Sequence, residues 1–198
     1  MHHLGHIFLA ESPPGFRFGA FIADGVRARR FDELPPEVQM GVRFHRWVDW
    51  QTDKHPAFLD ARRILRSVAG RYAGLIVDLW LDVALGENWT EFCDEPIDEF
   101  EERFRRETLK PYYSWAPPSW KAFMESINTE RLLLRFGHSA GMLSHMERFI
   151  LRRGLPLDSA LVRRAIQQHE EQLSILLVKF WREAVAWRAT ASTFTSKL

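Results

Sequence analysis

The sequence has little of what announces most common functions. Its only cysteine, Cys93, excludes an internal disulfide and any cysteine-based zinc cluster, and fits a reducing compartment. The neighbouring Asp94 and Glu95 oppose thiolate formation, so Cys93 is not expected to act as a nucleophile. Lys+Arg 27 against Asp+Glu 26 leaves a formal charge of +1, a balance that argues for neither nucleic acid nor membrane as a partner. No run approaches the ~18 apolar residues of a membrane span. The apolar stretch 7–10 is too short for a signal peptide and lacks its basic flank. The expectation is a cytoplasmic protein. An alternating strand pattern, a glycine-rich phosphate loop, an internal repeat and a Gly-x-Ser-x-Gly turn are all missing. What is there is helical periodicity, which predicts an all-α bundle forming one domain over residues 1–198.

The densest chemistry lies in residues 41–53. At 3.6 residues per turn Val38, Gly41, Val42, His45, Asp49 and Thr52 share one face, with Asp53 at its edge. An ionised Asp on an apolar stripe costs several kcal/mol unless it is paired or bound to a metal. Residues 72–89 are apolar nearly all round and predict a buried helix. Asp78 and Asp82 interrupt it, four apart and therefore on one face. Two helices that each offer ligands at i and i+4 suit a divalent cation held inside a bundle. The alternative is an ion-pair cluster in which Arg43 and Arg46 meet these acids and merely fix helix packing.

Elsewhere the chain is ordinary. His2, His3 and His6 sit in a short apolar frame, and His6 lies one turn from either of the others if the segment is helical. Pro13-Pro14-Gly15 breaks the chain, and Asp24 stands as the lone acid of residues 18–27. Pro36 fits the first turn of the helix that bears His45. Residues 110–120, with three prolines and four aromatics, read as the one long irregular stretch and a candidate lid or the rim of a cleft. Residues 123–136, 139–153 and 157–187 predict three further helical regions in which His138, His145 and His169 are structural. Residues 192–198 read as a frayed tail. Arginine clusters such as Arg62, Arg63 and Arg66, or Arg152 and Arg153, read as solvated helix faces open to an acidic partner.

The first ninety residues resemble the acyl carrier protein phosphodiesterase family. The resembling residues are Leu4, His6, Gly19, Ala23-Asp24, Gly41, His45-Arg46, Asp49, Thr52-Asp53, Pro56, Ala61-Arg62, Arg66, Asp78, Asp82 and Trp89. The resemblance implies an HD-domain-like helical fold and a place in fatty acid and lipid metabolism. It also implies a Mn²⁺- or Mg²⁺-dependent hydrolase that removes 4′-phosphopantetheine from the serine of holo-acyl carrier protein, an acidic partner. The family opens on Asn where this chain has His2, carries Gly-Asn where it has Gly19-Ala20, and carries Asp-His where it has Asp82-Val83. His2 or His3 is the expected source of a replacement imidazole. Together with the helical spacing, the resemblance makes Asp24, His45, Asp78 and Asp82 the expected metal set. His6, Arg46, Asp49 and Asp53 are expected to orient water or phosphate. The alternatives are a carrier-binding homologue with weakened catalysis and a hydrolase of another phosphodiester or nucleotide.

Overall fold

The computed structural model describes residues 2–11 and 13–195, and among them there is helix, turn and loop but no strand. In order the helices are α1 (His3–Leu9), α2 (Pro14–Ile22), α3 (Ala28–Phe31), α4 (Pro36–Thr52), α5 (Pro56–Ala69), α6 (Ala73–Glu87) and α7 (Trp89–Phe92). They continue as α8 (Ile97–Phe104), α9 (Lys110–Tyr112), α10 (Pro118–Glu130), α11 (Leu132–Phe136), α12 (Ser139–Arg153), α13 (Ser159–Gln168), α14 (Glu170–Ala184) and α15 (Trp187–Thr195). The fold is all-α, and no helix among the described residues is long and apolar enough to cross a membrane.

Proline starts helices here more often than it interrupts them. Pro14, Pro36, Pro56 and Pro118 each occupy the first turn of their helix, where the missing N–H has no intrahelical partner to lose. This corrects the reading of residues 110–120 as an irregular lid. They form α9, the 3₁₀ turn Tyr113–Trp115 and the start of α10. A further break falls at Arg131, whose φ of 49° is left-handed. Buried Glu101 secures that corner by accepting from Leu133 N at 3.2 Å and Arg131 Nε at 3.3 Å. The tail also differs from expectation: α15 carries Phe194 to 5.5 Å from the Phe44 ring. Residues 196–198 lie outside the described residues.

α2 and α4 cross at the centre, and glycine sets how close they come. A Cβ on Gly19 would sit 2.0 Å from the Val38 carbonyl oxygen, and one on Gly41 would sit 1.9 Å from that of Phe16. Only bare backbone fits there. Around the crossing, fully buried Phe8, Phe16, Phe18, Phe21, Phe44 and Trp181 fill the core. The apolar helix expected over residues 72–89 is α6, which lies between α1, α5, α12 and α14 and ends two residues earlier, with Trp89 opening α7.

α1 is held to α6 by a carboxylate. The first N–H groups of a helix have no intrahelical acceptor, and the residue before α1 supplies none from its side chain. Asp82 of α6 does so instead. Its Oδ2 accepts from Leu4 N at 2.8 Å, its Oδ1 accepts from Gly5 N at 2.9 Å, and Oδ2 also meets His2 Nδ1 at 3.0 Å. A negative charge at that end is favoured by the helix dipole.

Candidate active site

His45 and Asp49 stand one turn apart on α4, as their spacing predicts. Asp49 reaches two imidazoles: its Oδ2 lies 3.1 Å from His45 Nε2, and its Oδ1 lies 3.1 Å from Nε2 of His6 on α1. The two rings stack with centroids 3.6 Å apart and planes at 16°. Asp24, in the 3₁₀ turn Ala23–Gly25, brings Oδ1 to 3.3 Å from the same His45 nitrogen. His45 Nδ1 donates to the carbonyl of Ala20 on α2 at 2.8 Å. That bond depends on the glycine crossing, because α2 must approach α4 closely for its carbonyl to reach the ring.

The cluster separates the two histidines electrostatically. Burial works against a proton on His45, but hydrogen bonds to Asp24 and Asp49 outweigh it and raise its pKa to about 9. Burial and the neighbouring His45 charge push His6 down to about 4, against the pull of Asp49. Burial also opposes ionisation of Asp49, yet its bonds to His45 and His6 hold it well below the usual carboxylate range. Asp24 is lowered chiefly by its bond to His45.

A cavity of about 550 Å³ opens beside this cluster. Asp24, Asp49, Asp53 and Asp78 line it together with His2, His3, Trp120, His145 and Arg153. Burial, with Asp49 and Asp53 adding negative charge, raises the carboxyl of Asp78. A second cavity of about 580 Å³ shares Ser119, Phe123, His145, Phe149 and Arg153 with the first. Arg148 and Arg152 extend its basic wall along α12.

The ligand atoms of His6, His45 and Asp49 lie within 4.8 Å of one another, a separation that one divalent cation can span. Two imidazoles and a carboxylate suit Mn²⁺ or Zn²⁺ as donors. With Nδ1 of His45 bound to a carbonyl, its proton stays there and Nε2 is the nitrogen left for a metal, the usual arrangement of a ligating histidine. The residues present therefore fit a divalent metal.

The structure sorts the expected site residues differently from the sequence. His6 and Asp49, expected to handle water, join His45 in the candidate donor set. Asp24 is beside them, and Asp53 and Asp78 share the cavity. Asp82 is a correction: it is fully buried, does not line the cavity, and both its oxygens hold α1. Arg46 is another, since it is exposed and its guanidinium lies 5.7 Å from the Phe31 ring rather than in the cavity. His2, expected only as a possible substitute imidazole, is bonded to Asp82. His145 and Arg153 were read as structural or solvated and line the cavity. Their signal was available, because residues 145, 149 and 153 repeat at i, i+4 and i+8 on one face of α12.

Comparison with known proteins identifies the family. The family model described as acyl carrier protein phosphodiesterase matches residues 1–184. The acyl carrier protein phosphodiesterase of Escherichia coli O6:K15:H31 is 30% identical over 137 residues, 69% of this chain and 70% of that protein. Its counterpart in Escherichia coli K12 strain DH10B has the same identity and coverage. No solved structure matches. The match takes in α1 with His6, α4 with His45 and Asp49, and α6 with Asp78 and Asp82, and so the chain belongs to the acyl carrier protein phosphodiesterase family.

Proposed function

We propose that this chain is a divalent-metal-dependent phosphodiester hydrolase that releases 4′-phosphopantetheine from the serine of holo-acyl carrier protein. One observation carries the metal-dependent part of this reading: His6, His45 and Asp49 converge at the edge of a cavity that also holds Asp24, Asp53 and Asp78. The family to which the chain belongs supplies the substrate.

In this reading His6, His45 and Asp49 hold the metal, with Asp24 beside them as a further donor. When bound, the metal supplies charge neutralisation for the diester oxygens and an acidified water. Asp53 and Asp78 hold and orient water on the cavity side. The Ala20 carbonyl keeps His45 in the tautomer that donates through Nε2, and the stacked His6 is fixed by the same α1 that Asp82 anchors. Fixed positions and fixed charges are the main sources of rate in such a site. The carrier, an acidic partner, docks beside the basic wall of Arg148, Arg152 and Arg153, so that its modified serine lies toward α12 and the phosphorus it carries faces the cavity carboxylates.

Incubating holo-carrier with the protein and Mn²⁺, then separating holo from apo carrier by mass, tests the reading. Conversion that requires both metal and Asp49 supports it. An inert protein that takes up no Mn²⁺ overturns it.

A further inference from the structure

We propose that His2, held by Asp82, is the general acid that protonates the leaving serine oxygen, a role that rests on the hydrolase reading above. The pair has the geometry of a positioned imidazole: His2 Nδ1 lies 3.0 Å from Asp82 Oδ2, with the His2 side chain 14% exposed and Asp82 fully buried. Asp82 is itself fixed, since Leu4 N and Gly5 N donate to its two oxygens at 2.8 and 2.9 Å. Those three bonds make Asp82 a rigid acceptor, so Nδ1 of His2 carries the proton toward it and Nε2 is the nitrogen free to exchange one with a substrate.

The ring stands where a leaving group would be met. His2 lines the same cavity as Asp24, Asp49, Asp53 and Asp78. The acids and metal-type donors come from α1, α4, α6 and the turn after α2, whereas His2 stands beside His145 of α12, ring centroids 5.4 Å apart. Phe136 packs edge-on at 5.0 Å and His3 lies 4.1 Å away, so the imidazole is confined on three sides by rings. The side chains around it carry no acid other than Asp82 among these contacts. A substrate lying between the carboxylates and α12 would have its attacked phosphorus toward the acids and its leaving oxygen toward His2.

The step balances without any further reactant. Water oxygen forms a bond to phosphorus while the bond from phosphorus to the serine Oγ breaks, and the electron pair of that bond stays on Oγ. Oγ takes the Nε2 proton of His2. The proton that water gives up passes to a cavity carboxylate and then to solvent, from which His2 is reprotonated. Asp82 acts as a positioning residue that holds the ring and takes no part in the proton transfer.

Leaving-group dependence separates this role from a structural one. The test compares the holo-carrier with the p-nitrophenyl ester of 4′-phosphopantetheine, whose phenolate departs without a proton, for the parent and for His2→Asn at saturating Mn²⁺. Asn keeps a donor toward Asp82. The expected result is a fall in kcat of about 10²-fold or more on the carrier, less than about 3-fold on the aryl ester, and unchanged Mn²⁺ affinity by direct titration. Equal losses on both substrates, no loss on either, or a collapse of Mn²⁺ affinity would each overturn the assignment. A parent that cleaves only the aryl ester would overturn it too, because no acid would then be serving the alkoxide. If the parent cleaves neither substrate, the hydrolase reading has failed first, an outcome distinct from all the others.

Discussion

His6 and His45 stack at 3.6 Å and point Nε2 at opposite oxygens of one carboxylate, that of Asp49. Two imidazoles at that distance cannot both carry charge cheaply, and the cluster resolves the conflict by giving the proton to His45 and denying it to His6. A divalent cation would replace that proton. Metal uptake near neutral pH should therefore release protons, which a weakly buffered calorimetric titration with Mn²⁺ in buffers of different ionisation enthalpy will report. Asp49→Asn should abolish the uptake, and a buffer-independent enthalpy would contradict the assignment of His45 as a ligand.

The same pair gives the metal-free protein a stability that falls on both sides of neutrality. His45 has a folded pKa raised to about 9, so its contribution is complete below the ordinary value of ~6.5 and drains away as pH rises through about 9. His6 and His145, depressed by burial to about 4 and about 3, have the opposite sign. The unfolded chain binds protons there from ~6.5 downward that the native state refuses, and stability is lost as pH falls. Asp24 and Asp49, both lowered by their bonds to histidine, add to the acid loss. Melting temperature against pH should peak near neutrality, His45→Gln should flatten the alkaline limb, and His145→Leu should flatten part of the acid limb.

Asp78 and Asp82 look alike in sequence, and their substitutions should have unequal effects. Asp82→Ala strands the buried N–H groups of Leu4 and Gly5, at a cost of about 2–5 kcal/mol. Asp78→Asn keeps a hydrogen-bonding side chain, removes a carboxyl whose charged form burial disfavours and leaves the amides of α1 capped, so the metal-free protein should lose much less stability than with Asp82→Ala. Urea denaturation of both variants without metal checks this.

What the sequence made legible was local. The i, i+4 pair on α4, the buried α6 and the all-α class follow from periodicity alone. Resemblance, not spacing, brought His6 to the site, because its partners Asp49 and His45 are 43 and 39 residues away in the chain. Asp82 was misread for a tertiary reason: a buried carboxylate needs partners, and nothing in α6 says that they are the backbone amides of α1 rather than a metal. Arg46 was misplaced because residues adjacent on a helix point about 100° apart, so the neighbour of an inward His45 faces Phe31 and solvent. Residues 110–120 looked irregular because prolines break helices in their interiors, whereas Pro118 begins one.

Gly19→Ala should show that the helix crossing and the site are one device. The new Cβ would meet the Val38 carbonyl oxygen at 2.0 Å, forcing α2 from α4 at a cost on the order of 1–3 kcal/mol. It should also loosen the Ala20 carbonyl from His45, and Mn²⁺ affinity should fall roughly 10–100-fold, as it does when a partner that orients a ligating histidine is lost. Metal titration and melting of the same variant will show whether the two losses travel together.

Replacing Arg148, Arg152 and Arg153 with Ala should raise KM for an acidic carrier, with little change in kcat, and should weaken the dependence of kcat/KM on salt. Steady-state kinetics at two ionic strengths distinguishes this from a general loss of fold, which would lower kcat as well.

The central claim is that His6, His45 and Asp49 form a metal centre that cleaves the phosphodiester of a holo-carrier. Its most direct test is to follow holo-carrier by mass spectrometry with the parent and with Asp49→Asn, each with Mn²⁺ and with a chelator. The account predicts apo-carrier and free 4′-phosphopantetheine only from the parent with Mn²⁺. Cleavage by Asp49→Asn at the parent rate, or by the parent in chelator, would contradict it.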